Sequence, residues 1–254
     1  MQALYKDVKQ THAVWAVSHA GHCLPQSQSP WYGNQHIYNL EDQVQHKIAF
    51  ILDYVPKDAN ITLIGHSIGC YIILKVLEAF EANGEMNIVR NFLLFPTIER
   101  MRTSPNGHRL WPILCYFRWL VVLLAALVHC LPSNVKTTMA DWYFRGKGVP
   151  DYSISASVEL VHPKIVQNVL WMAYHELQQV LSPDINVITR HKETIVFYYG
   201  ASDGWCPKSY RTELLAEVDG LRSYLCEDEY LHAFVLKSHN VEGLSMKIST
   251  WICS

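Results

Sequence analysis

Asn60-Ile61-Thr62-Leu63-Ile64 runs directly into Gly65-His66-Ser67-Ile68-Gly69, and the stretch Cys70 to Phe80 follows without a break. The β-branched apolar run reads as a buried strand and the stretch after it as a helix. A strand that ends in Gly-x-Ser-x-Gly and turns straight into a helix is a nucleophile elbow. The tight turn forces the serine into a strained backbone geometry and lifts its hydroxyl above the sheet edge. Glycine is expected at 65 and 69 because a Cβ at either position would collide with the neighbouring strand or helix. At an average glycine usage of about 7%, two glycines flank a serine at this spacing by chance in roughly one serine in 200. Ser67 is therefore the candidate nucleophile, against the competing reading of a plain structural turn.

Outward from the elbow, strand and helix patterns alternate. Ala13-Val14-Trp15-Ala16-Val17 reads as a buried strand that leads into the loop Ser18-His19-Ala20-Gly21-His22. Leu40 to Val55 carries apolar residues at helical spacing and stops before Pro56. Ile88 to Phe95, Ile195 to Tyr199 and Leu221 to Cys226 are further strands, and His232 to Trp251 is a closing helix. This order predicts an α/β fold, a mostly parallel sheet with helices on both faces. At 254 residues the chain forms one domain over 1–254. The stretch from about 97 to 190 breaks the alternation and reads as an inserted helical cap.

A serine hydroxyl needs a general base within hydrogen-bond reach, and a third group to hold that base in the right tautomer. On such a sheet the partners come from loops after later strands, in the order Ser, Asp or Glu, His. Gly200-Ala201-Ser202-Asp203-Gly204 follows one strand and places Asp203 in an open loop; Tyr230-Leu231-His232 follows the last strand and puts His232 at the mouth of the closing helix. Asp228 is the other candidate for the acid. An ordinary turn aspartate and a helix-start histidine are the bland readings of Asp203 and His232, but both stand at the expected strand ends. His19 and His22 are three residues apart, like a metal pair, yet lack a third ligand at a telling spacing. No metal and no cofactor are expected. His66 reads as a pocket-lining residue, and Cys70 and Cys206 as buried thiols.

Half of the residues are apolar, 17% are charged and the net charge is −2. No basic face for nucleic acid is implied. Seven scattered cysteines include no CxxC pair, and Met1 to Lys6 has no apolar signal-peptide core. Reduced thiols facing the cytosol are expected. Oligomeric state is not readable from the sequence.

Trp111 to Pro132 is apolar on every side. As a helix it would be buried all round. Its uninterrupted part, Trp119 to Val128, is about 15 Å long at 1.5 Å per residue, half a bilayer. A full span would leave Arg118 near one third depth, between bracketing prolines, and is disfavoured. The segment is then either a lid helix that packs on protein or a wedge that enters one lipid leaflet. The wedge would use Trp111, Arg118, Trp119, Leu120, Val121, Leu123, Leu124 and Leu127, with Arg118 and the two tryptophan rings at the head groups.

These stretches together resemble the lipid droplet-associated hydrolase family, a branch of the α/β-hydrolases. The resemblance is carried by Trp15-Ala16-Val17-Ser18-His19-Ala20-Gly21-His22, Leu63 to Gly69, Phe95-Pro96-Thr97-Ile98-Glu99-Arg100-Met101, Ser104-Pro105-Asn106-Gly107, Trp205-Cys206-Pro207 and His232-Ala233-Phe234. It implies an α/β-hydrolase fold and a serine esterase with Ser67 as nucleophile, Asp203 as acid and His232 as base. It also implies neutral lipids such as sterol esters or acylglycerols as substrates, at the lipid droplet monolayer or endoplasmic reticulum membrane, on the cytosolic face. The family's fold begins with earlier strands and a Pro-Gly-Asn-Pro-Gly loop. This chain starts in what reads as the helix after that loop, so truncated amino-terminal strands are expected. The oxyanion hole would take one backbone N–H from Ile68 and a second from that loop. Weaker turnover than that of a longer version is expected. The alternatives are a droplet-binding protein of hydrolase fold with weak or no catalysis, and a soluble thioesterase or peptidase with an ordinary lid.

Overall fold

Four parallel strands form one sheet in the order β1-β2-β3-β4 in the computed structural model, which describes residues 2–23, 36–84, 86–226, 228 and 230–253. They are β1 (Asn60–His66), β2 (Asn87–Leu94), β3 (Ile195–Gly200) and β4 (Arg222–Cys226). In register, Ile64 lies beside Phe92, Phe92 beside Val196 and Tyr199 beside Leu225. Every residue of the inner strand β3 is buried. Its unbroken apolar run is what a parallel strand covered on both faces requires.

α3 (Ile68–Asn83) makes the crossover from β1 to β2. It buries Ile72, Ile73, Val76, Leu77 and Phe80, and it packs on both strands. Gly84 ends it in the left-handed region at φ 61°, with its N–H bonded to the Phe80 carbonyl at 2.8 Å. α2 (Leu40–Tyr54) lies on α3 through Leu40, Val44 and Ile51. Glu41 and Asp42 favour its positive end, and Pro56 prevents its continuation. α10 (Lys208–Glu217) connects β3 to β4. The strand and helix order expected around the elbow is therefore present, with boundaries moved by a few residues.

The long connection from β2 to β3 is helical. A 3-10 turn (Met101–Thr103) leads to α4 (Pro105–Tyr116), α5 (Arg118–His129), α6 (Ser133–Phe144), α7 (Asp151–Leu160), α8 (Pro163–Gln179) and α9 (Ile185–Arg190). The chain divides into two compact units, residues 40–111 with 174–232, and residues 1–39 with 112–173 and 233–254. The first contains the sheet. In the second, α1 (Gln2–Val8) packs on α11 (Ser238–Cys253), burying Leu4, Val8, Leu244 and Ile248. In the same unit the Asn168 side chain accepts the Tyr38 N–H at 3.0 Å. It also fills the space where a Cβ on Gly21 (φ 77°) would stand, 2.7 Å from Asn168 Cγ.

Three expectations are corrected. Ala13–Val17 is not a strand: residues 12–19 have no regular structure, and Trp15 is exposed. A strand needs a neighbour to complete its ladder, and among the described residues the sheet ends at β1. His232 does not open the closing helix, because a 3-10 turn (Phe234–Leu236) and the extended Lys237 separate it from α11. Trp111–Pro132 is not one helix buried all round. It breaks at Phe117 into α4 and α5, bent by 80°, and among the described residues no single helix is long and apolar enough to cross a membrane.

Candidate active site

Ser67 has φ 57° and ψ −124°, a backbone region that side chains rarely occupy. Such a conformation costs on the order of 1–3 kcal/mol and persists only where the surroundings hold it. The Ser67 N–H donates to the Leu94 carbonyl at 3.0 Å, and its own carbonyl accepts the N–H groups of Cys70 (3.0 Å) and Thr97 (3.4 Å). The elbow is thus tied to the end of β2. A Cβ on Gly65 would lie 2.7 Å from the Gly69 carbonyl carbon and 2.8 Å from Ile73 Cδ1. Gly69 itself is different from the expectation: nothing lies within 4 Å of where its Cβ would be. The close approach is to the backbone of Gly69, so one glycine suffices. Ile68 begins α3, where backbone N–H groups have no partner in the helix ladder.

The structure brings Ser67, His232 and Asp203 together from three strand ends. Ser67 Oγ is 2.8 Å from His232 Nε2, and His232 Nδ1 is 2.6 Å from Asp203 Oδ2. With the ring proton on Nδ1 donated to Asp203, Nε2 accepts the serine hydroxyl. Asp203 Oδ1 accepts the backbone N–H groups of Trp205 (2.7 Å) and Cys206 (3.3 Å), and Oδ2 also accepts the Cys206 thiol at 3.2 Å. Burial opposes the charge on Asp203. The hydrogen bond and charge of His232, with the Trp205 N–H and the Cys206 thiol, outweigh it and hold the carboxyl below its ordinary value. The Asp203 side chain is 0% exposed and that of His232 16%, so the carboxylate is sealed while the imidazole is partly exposed. Asp228 is not the partner, since Nδ1 of His232 is taken by Asp203.

His66 makes a specific contact with the His232 loop. Its Nε2–H donates to the His232 backbone carbonyl at 2.8 Å, and the two rings lie 5.2 Å apart. Burial, then the neighbouring His232 ring, pushes His66 down to about 4, so it is neutral at pH 7. His66, beside Ser67, therefore anchors the loop that carries His232. Sequence spacing holds no signal for this, because the bond joins positions 166 residues apart. Cys70 is buried and donates to the carbonyls of Gly65 (3.3 Å) and Leu94 (3.4 Å); burial pushes its thiol well up.

Asp203, Cys206 and His232 have the residue types of a metal-binding group, their ligand atoms lying within 4.8 Å of one another. The donor set does not fit one. Both Asp203 oxygens are occupied by donors, and the Cys206 thiol and the His232 ring are themselves two of these donors. The His19 and His22 rings meet edge to face at 5.4 Å, and among the described residues they belong to no such group.

The Phe-Pro-Thr-Ile-Glu-Arg run leaves β2, and its Phe95 N–H donates to the Tyr198 carbonyl at 2.7 Å. Arg100 (φ 45°) pairs with the buried Glu99 at 2.5 Å and with Glu213 of α10 at 2.7 Å, and its guanidinium lies 3.8 Å over the Tyr210 ring. A cavity of about 590 Å³ beside it is lined by Arg100, Arg102, Thr103, His108, Trp111 and Leu181, not by Ser67, Asp203 or His232.

On α5 the residues named as a lipid wedge divide by face. Trp119 (65%), Leu123, Leu124 and Leu127 (60%) are exposed, while Arg118, Leu120 and Val121 are half-buried. The Arg118 guanidinium lies 5.0 Å over the Trp171 ring. Trp111 is half-buried and stacks on Tyr174 at 6.0 Å. The apolar exposure continues beyond the predicted segment. α6 and α7 bury no residue, and Val135, Met139, Trp142 (72%), Tyr143, Tyr152 and Leu160 face outward.

A family model described as Lipid-droplet associated hydrolase matches residues 1–235. A Gallus gallus protein named lipid droplet-associated hydrolase is 38% identical over 259 residues, covering 99% of this chain and 78% of its own length. Its Homo sapiens namesake is 35% identical over 92% of this chain and 74% of its own. Among solved structures, a thermophilic esterase from Thermogutta terrifontis superposes with a TM-score of 0.58 at 13% identity, covering 99% of this chain and 83% of that one. A hydrolase from Oleispira antarctica has a TM-score of 0.58 at 13% identity, over 98% and 85%. At that identity the likeness is one of fold, and the fold is that of the α/β-hydrolases.

Proposed function

The chain belongs to the lipid-droplet associated hydrolase family, and from that premise we propose that it is a serine ester hydrolase acting on neutral lipids at a droplet surface. The observation that carries the reading is the unbroken line from Ser67 Oγ through His232 to Asp203, at 2.8 and 2.6 Å, on a serine with positive φ. Ser67 gives its proton to His232 Nε2 as its oxygen attacks the ester carbonyl, and Asp203 stabilises the imidazolium that forms. The Ile68 N–H donates to the oxyanion. His232 then passes the proton to the leaving alcohol, which departs and leaves an acyl-Ser67. Water, deprotonated by His232, attacks that ester, and the fatty acid leaves as the proton returns to Ser67.

The surface reading is supported by the outward-facing apolar side chains of α5 and α6, which meet water at a cost that a lipid monolayer removes. Sterol esters and acylglycerols are the substrates, reached from the cytosolic face of droplets and endoplasmic reticulum. A fluorophosphonate probe on the purified chain tests the chemistry. Labelling that disappears in Ser67→Ala, with the melting temperature unchanged, is the expected result. No labelling of the wild type would instead favour a droplet-binding protein without catalysis.

A further inference from the structure

Resting on the serine hydrolase reading, we propose that Cys206 is a positioning residue whose thiol donates to Asp203 Oδ2 and fixes the carboxylate that orients His232. Sγ is 3.2 Å from Oδ2, the same oxygen that takes the His232 Nδ1–H at 2.6 Å. The backbone N–H of Cys206 meanwhile reaches Oδ1 at 3.3 Å, so a single residue grips both oxygens.

The Asp203 side chain is sealed from water, so each of its acceptor sites must find a donor within the protein. Trp205 N–H and Cys206 N–H serve Oδ1; the imidazole and the thiol serve Oδ2. The thiol is the fourth donor. Rotation of a carboxylate about its last bond is soft. Donors on both oxygens fix the plane of the carboxylate, and with it the direction of the His232 ring. Cys206 is 1% exposed. Its burial, and the negative charge of Asp203 beside it, raise the thiol well above its ordinary value and keep it an S–H donor. Pro207 follows directly as the N-cap of α10, and its ring fixes φ there at −53°.

The competing account is that Cys206 is a small apolar filler, as most buried free cysteines are. The two accounts rank substitutions in opposite orders. A filler tolerates Cys206→Val and suffers from the polar Cys206→Ser; a donor is replaced by serine and lost in valine and alanine. The test measures kcat and KM for a soluble short-chain ester, the rate of fluorophosphonate labelling, and the melting temperature of each variant. Labelling is run well below the lowest melting temperature. Cys206→Ser is expected within about threefold of wild type, and Cys206→Ala and Cys206→Val about tenfold lower in kcat with KM unchanged, as for loss of one hydrogen bond to a charged group. If valine does not fold, alanine against serine decides. Alanine within threefold of wild type, or serine as slow as alanine, overturns the proposal while leaving the triad intact. Wild-type labelling absent, or unchanged in Ser67→Ala, overturns the hydrolase reading and this one with it.

Discussion

Gly65→Ala places one carbon atom at the tightest point of the elbow. That Cβ would stand 2.7 Å from the carbonyl carbon and oxygen of Gly69 and 2.8 Å from Ile73 Cδ1. Carbon atoms in contact prefer about 3.5–4.0 Å, so the new atom is roughly 1 Å too close. Ile73 can change rotamer, but the Gly69 contact is backbone, and relief requires α3 to move off β1 or the turn at Ser67 to re-route. Overpacking of this kind costs about 1–3 kcal/mol. In a chain of this size that lowers the melting temperature by roughly 2–12 °C. On the proposed mechanism labelling suffers more, because a shift of about 1 Å separates Ser67 Oγ from His232 Nε2, now 2.8 Å away, at a cost on the order of a hundredfold in rate. Gly69→Ala is the matched control. Its Cβ meets nothing within 4 Å, and alanine favours the helix by up to about 1 kcal/mol. Scanning fluorimetry and the second-order rate of fluorophosphonate labelling read both effects. The reasoning is refuted if Gly65→Ala keeps wild-type stability and labelling, or if Gly69→Ala is equally damaged.

Replacing Leu123, Leu124 and Leu127 together with serine removes three outward apolar side chains of α5. At about 1 kcal/mol each when buried in lipid, binding to a triacylglycerol emulsion coated with phosphatidylcholine should fall at least a hundredfold in a flotation assay, with soluble-ester turnover within twofold; unchanged flotation would refute the wedge. Burial raises Glu176 from 4.5 to about 7. Between those values the folded chain holds a proton that the unfolded chain releases, so stability falls as pH rises through the window, by about 3 kcal/mol at most. Glu176→Gln should flatten the dependence and melt higher than wild type at pH 8; parallel melting curves for the two from pH 5 to 8 would contradict this.

Local rules made the sheet around the elbow legible. β3 is buried along its whole length, so its side chains are apolar without alternation, and the run Ile195 to Tyr199 carries that information by itself. The loops bearing Asp203 and His232 could be named because strand order decides which loops gather at one edge. The same logic failed at Ala13–Val17, where five apolar residues have the composition of a strand but, in the folded chain, no regular structure. It failed also along Trp111–Pro132. Hydrophobicity counts the apolar side chains but not the bend at Phe117, which sets the helix directions.

What remained hidden at the site is a matter of direction rather than position. The sequence marks His66 and Cys206 only as a pocket-lining candidate and a buried thiol. Their functional content lies in where one hydrogen atom points: at the His232 carbonyl, 2.8 Å away, and at Asp203 Oδ2, 3.2 Å away. Either side chain could turn elsewhere without altering any periodicity or spacing. In the folded chain His232 is held at two points, its backbone by His66 and its ring by a carboxylate with four donors. Loosening one point leaves the other in place. Single substitutions at His66 or Cys206 should therefore be graded in effect, and the pair should cost more than the sum of the two if the grips back each other up.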